Sequence, residues 1–278
     1  YFRERGIRDD MIERFQLGYA PENRHAFTDT ALKGGYKSEF LVKTGLTIER
    51  DGQLFDRFAG RVMFPIHSLS GQIIAFGGRT LSSDKSVAKY INSPESEIYH
   101  KSKTLYGIFQ ARKAIMQHDK CYLVEGYLDV ISMHQAGIEN VVASSGTSLT
   151  NDQIRLIKRF TNNITIVYDG DPAGIKAALR GIDMVLEEGL NVRIVLLPEG
   201  DDPDSFCRAH HPSEVIDFFS KNETDFVLFK ARLLLNEAQN DPIKKATLIS
   251  DIVQSIAVIP DPIVRSVYVK ECAVLLQT

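Results

Sequence analysis

The sequence predicts an α/β fold: a parallel sheet flanked by helices, preceded by an α+β subdomain and followed by a helical bundle. Three observations carry this. Between about residues 119 and 197 the apolar runs CYLV, NVVAS, ITIVY and VRIVLLP alternate with helix-like stretches, the pattern of strands covered on both faces. The first hundred residues mix short elements around one strand–turn–strand signal. From about residue 223, apolar residues fall at helical spacing to the end.

Taken in order, Asp9 or Asp10 is placed to cap a helix, DDMIERFQLG, with Met11, Ile12 and Phe15 on one face and Gly18 at its end. Ser38 is placed to cap a second, SEFLVKTG. RVMFPIHSL and QIIAFGGRTL are strand-like runs joined by Ser70-Gly71, a hairpin signal. SSDKSVAKYINSPESEIYHKSK is polar and turn-rich and reads as a loop. YLDVISMHQAG is a short helix ending at Gly137, and Thr150 with Gln153 forms a Thr-x-x-Gln capping box ahead of IRLIKRF. DPAGIKAALRGIDMVLEEG is a helix between the strands ITIVY and VRIVLLP. DFVLFKARLLLNEA, KKATLISDIVQSIAVI and PIVRSVYVKECAVLLQ form three packed helices, the last two separated by Pro260 and Pro262.

The 278 residues are 44% hydrophobic and 25% charged, as in an ordinary globular protein. No run approaches the roughly 18 apolar residues of a membrane span. No signal peptide opens the chain, so a cytoplasmic protein is expected. The first residue is Tyr1 rather than Met, and a piece of a longer protein is expected. Cys121, Cys207 and Cys272 offer neither a disulfide framework nor a CxxC zinc pair, and Cys207 with His210 and His211 lacks a fourth metal ligand. The net charge of −3 is unevenly spread. Residues 1–103 hold 16 basic and 13 acidic side chains, residues 104–278 hold 17 and 23, and residues 56–103 hold 7 and 4. A basic face beside an acidic one suits a polyanion bridged by cations to carboxylates, though scatter gives similar numbers.

Acids follow three of the apolar runs. Glu125 ends CYLV, Asp169 and Asp171 follow ITIVY, and Asp202 and Asp204 follow VRIVLLPEG. Ligands of open parallel sheets bind beyond the carboxyl ends of the strands, so these five carboxylates are expected at one rim. A lone Asp-x-Asp is commonly a turn or cap, and Pro203 between Asp202 and Asp204 is itself a turn signal. Their joint placement is what points to a metal. Crowded carboxylates need cations, and Mg²⁺ takes oxygen ligands from one or two carboxylates plus substrate phosphates. Two such ions about 4 Å apart suit phosphoryl transfer.

EGYLD, DGDPAG and DDPD, in that order, resemble the Toprim domain shared by bacterial primases, topoisomerases and some nucleases. YFRERGIRDDMIERFQLGYAP, DRFAGRVMFPI, AFGGRTL and KYINSPESEIYHKSKTLYG resemble the catalytic core of bacterial DnaG-type primases, so the resemblance covers essentially the whole chain. It implies a Toprim-type sheet and three parts: a basic N-terminal subdomain over 1–101, the Toprim domain over 102–222 and a helical subdomain over 223–278. It implies a DNA-dependent RNA polymerase that makes short RNA primers on a single-stranded DNA template from ribonucleoside triphosphates. The family's metal acids correspond to Glu125, Asp169, Asp171, Asp202 and Asp204, holding Mg²⁺ for which Mn²⁺ substitutes, with Asp129 as an outer contributor. Glu125 is either a general base or a ligand. The nucleotide and template residues correspond to Arg57, Arg61, Arg79, Lys89 and Lys101, with Asn92 alongside and Tyr90 available to stack on a base. Ala59 stands where the family pattern has a third basic residue, leaving Arg57 and Arg61 more of that contact. The resemblance also implies a zinc-binding domain before the core and a helicase-binding domain after it. Both are expected outside this chain, with zinc and the replicative helicase binding there.

Other functions fit less well. A topoisomerase needs a nucleophilic Tyr in a further domain, and nothing here resembles one. A haloacid-dehalogenase-type phosphatase needs Asp-x-Asp-x-Thr, and Ala173 occupies the Thr position. A primase–helicase fusion needs a GxxxxGK[ST] loop, which the sequence lacks. A non-catalytic nucleic-acid scaffold gains nothing from five carboxylates beside a phosphate backbone.

Overall fold

The computed structural model describes residues 1–146, 148–169, 182–238 and 242–276. The chain divides into two compact units, Tyr1–Gln110 and Ala111–Thr278.

The first unit contains helices α1 (Asp9–Arg14), α2 (Ala26–Lys33) and α3 (Ser38–Lys43). Its strands are β1 (Gly18–Ala20), β2 (Thr47–Arg50), β3 (Gln53–Asp56), β4 (Arg61–His67), β5 (Ile73–Thr80) and β6 (Tyr90–Asn92). An antiparallel sheet runs in the order β1-β4-β5-β6. The β4–β5 turn falls at Ser70-Gly71 as expected, with Gly71 at φ 88° and Ser68 N–H donating to Gln72 O at 2.8 Å. Val62, Phe64 and Ile66 alternate into the core, where Phe2 meets Phe64 edge-on at 5.6 Å and Phe15 stacks on Tyr106 at 5.9 Å.

Several local expectations for this unit are corrected. The N-cap of α1 is Arg8, with no side-chain cap bond, and Asp9 and Asp10, inside the helix, pair with Arg3 and Arg8. Both acids still sit favourably in the first turn. The left-handed residue after α1 is Gln16 (φ 54°), and Gly18 already belongs to β1. Ser38 is the first residue of α3, behind an N-cap at Lys37. Within the polar stretch read as loop, Tyr90–Asn92 pair with Gly77–Arg79. The β2–β3 hairpin turns on Asp51 (φ 52°) and Gly52 (φ 74°), both left-handed, as in a two-residue hairpin turn whose twist matches its strands.

The chain enters the second unit through α4 (Ile108–His118). There follow β7 (Cys121–Val124), α5 (Tyr127–Gln135), β8 (Val141–Ala143), α6 (Asn151–Lys158), β9 (Asn163–Tyr168), α7 (Asp183–Glu187), β10 (Asn191–Leu196), α8 (Pro203–Ala209), α9 (Pro212–Asn222) and β11 (Thr224–Asp225). The sheet order is β8-β7-β9-β10-β11. The first four strands are parallel, and β11 is an antiparallel edge. Every residue of β7 and β8 is buried, which is why these runs carry no polar alternation. The Thr150–Gln153 capping box forms, with both reciprocal bonds at 3.2 Å. Of the helix expected after ITIVY, Asp183–Glu187 is helical, and residues 170–181 lie outside the described residues.

The edge strand β11 interrupts a region read as wholly helical. Glu223, just before it, explains the interruption. Its carboxylate, 4% exposed, accepts from Lys120 Nζ at 2.8 Å and Arg193 Nη1 at 3.1 Å, and Thr165 Oγ1 also donates to it. The last helices are α10 (Phe226–Ala238), α11 (Pro242–Ala257) and α12 (Pro262–Leu276). The buried Lys230 ammonium donates to Ser255 Oγ at 2.7 Å and Asp251 O at 3.2 Å, and Ser255 in turn donates to Asp183 Oδ1 at 2.7 Å. Among the described residues, no helix is long and apolar enough to cross a membrane.

Candidate metal and nucleotide site

The parallel register fixes where the acids emerge. Leu123 pairs with Ile166 and Leu196 with Tyr168, so Glu125 and Asp169 leave neighbouring strands at the same, carboxyl, edge. The Glu125 side chain is exposed, and its charge helps burial raise the pKa of Tyr168, the last residue of β9. On the other side of β7, Ser145 N–H donates to Glu125 O at 3.0 Å from a left-handed backbone, φ 57°.

Asp129 lies one turn into α5. Its Oδ2 accepts from Gly126 N–H at 2.8 Å, closing the start of the helix. Burial pushes its pKa up to about 7, against the Gly126 bond, and the charges of Asp202, Asp204 and Asp169 push the same way. The structure therefore brings these four carboxylates into one electrostatic neighbourhood. The same field reaches Cys207, whose thiol is pushed up to about 12 by burial first and then by Asp204, Asp129 and Asp202.

Asp202 and Asp204 are held by local structure. Asp202 is the N-cap of α8, its Oδ1 accepting from Ser205 N–H at 2.6 Å. Pro203 is the first helical residue instead of a turn, since its missing N–H costs nothing there. Asp204, 2% exposed, accepts from Ser132 Oγ at 2.6 Å and lies 3.4 Å from Arg208 Nε. Ser132 was not singled out from the sequence. Its signal was present: it is three residues after Asp129, on the same helical face, between the buried Ile131 and Met133.

An oxygen-only set of acids, with the charges of Asp202, Asp204 and Asp169 acting on the buried Asp129, fits a hard divalent cation. Among the described residues, no three His, Cys, Asp or Glu side chains stand close enough to chelate one ion as they are. Of the five expected ligands, Glu125, Asp169, Asp171, Asp202 and Asp204, Asp171 lies outside the described residues.

In the first unit the basic residues differ in environment. Arg61, 8% exposed, gives Nη1 to Gly78 O at 3.2 Å, Ala88 O at 3.0 Å and Lys89 O at 3.5 Å. It pins β5 to the following loop. Gly78 makes room for this: a Cβ there would lie 2.6 Å from Phe58 Cδ1 and 3.1 Å from Arg61 Cδ. Arg57 is half-buried, its Nε donating to Asn92 O at 3.3 Å, and burial lowers the pKa of both arginines. Arg79 Cζ lies 4.8 Å from the Tyr1 ring centroid. Lys89 is exposed, whereas Asn92 and Lys101 are half-buried. The Tyr90 ring is 38% exposed and leans on Phe64 at 6.3 Å.

Comparison with known proteins gives three family matches. Residues 1–112 match the N-terminal domain of the DNA primase catalytic core, residues 122–207 a Toprim-like family, and residues 231–278 the DnaB-helicase binding domain of primase. The last corrects the expectation that helicase-binding sequence lies wholly outside the chain. Its three helices carry no chemistry-bearing motif, so their apolar spacing showed only a bundle. The DNA primase of Staphylococcus epidermidis is 36% identical over 275 residues, 98% of this chain and 46% of that protein. That of Listeria monocytogenes is 40% identical over 277 residues, 98% of this chain and 44% of that protein. The chain thus spans a little under half the length of these relatives. A DNA primase domain from Pseudomonas aeruginosa superposes with TM-score 0.88 at 34% identity, over 99% of this chain and 87% of that one. A DnaG primase catalytic domain bound to ssDNA superposes with TM-score 0.86 at 33% identity, over 98% and 89%.

Proposed function

Because the chain belongs to the bacterial DnaG-type DNA primase family, as its catalytic core, we propose that it polymerises ribonucleotides into short RNA primers on single-stranded DNA. The observation that supports this is the strand register, which lets Glu125 and Asp169 leave neighbouring parallel strands at one carboxyl edge, with Asp129 buried near the charges of Asp169, Asp202 and Asp204. Divalent metal use is consistent with the family, and Mg²⁺, replaceable by Mn²⁺, is the cation proposed. Glu125, Asp169, Asp171, Asp202 and Asp204 would hold it, with Asp129 behind them. Held there, such a cation would supply Lewis-acid stabilisation of the charge that develops on the α-phosphate and would ease deprotonation of the attacking hydroxyl.

The chain's own residues do the rest. The exposed Glu125 accepts the proton of the attacking 3′-hydroxyl or acts as a ligand. Ser132 and Arg208 fix the orientation of Asp204. Arg57, Arg79, Lys89, Asn92 and Lys101 bind triphosphate and template phosphates, and Arg61 shapes the loop that presents Lys89. The three-part division at 101/102 and 222/223 belongs to this reading, as does a cytoplasmic site of action. The match over 231–278 supports contact with the replicative helicase through the C-terminal helices.

The test is template-dependent incorporation of labelled ribonucleotide by the wild type, Glu125→Gln and Asp169→Asn. Loss on the order of 10²-fold in each variant is expected. Equal activity in all three would remove the catalytic assignment.

A further inference from the structure

The first unit contains a cavity of about 330 Å³ whose walls include Arg24, Arg50, Arg57, Phe55, Asp51 and Asp56. That volume is at the lower end of small-ligand sites. Three arginines line one small space, and among the described residues none of the three forms an ion pair. Asp56 is unavailable to them. Its Oδ2 accepts from Phe27 N–H at 2.7 Å, and its Oδ1 accepts from Thr28 N–H at 2.9 Å and Thr28 Oγ1 at 2.6 Å, so it caps α2. The start of α2 is therefore already satisfied and is not the attraction.

The arginines are held at the cavity by different means. The Arg24 guanidinium lies over the Phe55 ring at 5.3 Å, and His25 flanks that ring at 5.1 Å. Arg57 is fixed through Nε to Asn92 O, a bond that leaves its Nη groups out of that contact. Arg50 ends β2 beside the left-handed Asp51-Gly52 turn. Burial already disfavours charge on Arg57, and Arg24 and Arg50 line the same cavity. An anion with several oxygens offsets that penalty, and guanidinium forks match phosphate geometry.

We propose that this cavity is a phosphate site, built by Arg24, Arg50 and Arg57, that takes a nucleotide's phosphate tail or a phosphodiester of a nucleic-acid strand. Neither Arg24 nor Arg50 belongs to the assignment above, and the proposal does not depend on the carboxylates of the second unit. Only its strand form rests on the nucleic-acid reading.

The test is fluorescence anisotropy of the intact chain in EDTA with two probes, a labelled single-stranded oligonucleotide and labelled ATP, each competed by inorganic phosphate. The variant is the double substitution Arg24→Gln with Arg50→Gln. Both side chains are exposed, so the fold should survive, and a thermal melt checks this. Weakening of at least one probe by about tenfold, with the salt slope reduced by about 1 to 2, is expected. Weakening of the oligonucleotide alone identifies a strand, and weakening of ATP identifies a nucleotide tail. Unchanged affinity and slope for both probes overturns the proposal, as does failure of the wild type to bind either. Reading binding without metal keeps this result separate from primer synthesis, which the incorporation assay decides.

Discussion

Ser132 Oγ donates to Asp204 Oδ1 at 2.6 Å across 72 positions of sequence. The bond joins α5, which opens with EGYLD, to α8, which opens with DDPD. Two motifs far apart in the chain are thus locked in register by a buried hydroxyl, and Asp129 on the same helix shares the field of Asp204.

Replacing Ser132 by Ala is expected to destabilise the second unit by about 1–3 kcal/mol, because a buried carboxylate loses its donor. Urea denaturation followed by circular dichroism measures this. A variant as stable as the wild type would show that the Ser132 bond contributes nothing to holding Asp204.

Asp202 has two separable roles, helix cap and proposed ligand. Asp202→Asn keeps a good cap and should hold stability to within a few tenths of a kcal/mol, whereas Asp202→Ala should lose about 0.5–2 kcal/mol. Primer synthesis should fall in both, with more metal needed for half-maximal rate. If Asn supported wild-type activity at wild-type metal levels, Asp202 would be a cap only.

Gly78→Ala should cost about 1–3 kcal/mol by overpacking, since the new methyl would press on the buried Phe58 ring and on Arg61. Loosening of the Arg61 bonds to Ala88 O and Lys89 O should also expose the 81–90 loop. Limited proteolysis with a lysine-specific protease reads this as faster cleavage at Lys85 and Lys89.

Glu223 predicts a pH dependence. Burial opposes its ionisation most strongly, but bonds from Lys120, Thr165 and Arg193 outweigh burial and hold its pKa below the ordinary value. A depressed carboxylate pKa contributes stability that is full above the unfolded value, near about 4.3, and is lost as pH falls through the folded value. The stability difference between wild type and Glu223→Gln should therefore be constant near neutrality and shrink on acidification. Parallel pH profiles for the two proteins would contradict this.

What could be read from the sequence follows from the range of the interactions involved. The parallel strands were readable because burial on both faces forces continuous apolar runs, and the Thr150–Gln153 box because its chemistry is local. The two-residue strand at Thr224–Asp225 was not, because Glu223 and three side chains distant in sequence, Lys120, Thr165 and Arg193, define it. Asp9, Asp10 and Ser38 looked like caps because their residue type permits it, but all three lie inside their helices. The Asp51-Gly52 hairpin did carry a local signal, two left-handed positions between short alternating runs. For the acids, strand order alone implied a common rim. The part played by Ser132, and the split of Arg61 from its neighbours as a loop anchor, depend on side-chain packing that no spacing rule encodes.

The Glu223 network gathers near the amino ends of the strands, at Lys120, Thr165 and Arg193, whereas Glu125 and Asp169 leave from their carboxyl ends. A change that weakens that network therefore loosens the layer at one end while leaving the strand ends that carry Glu125 and Asp169 in place.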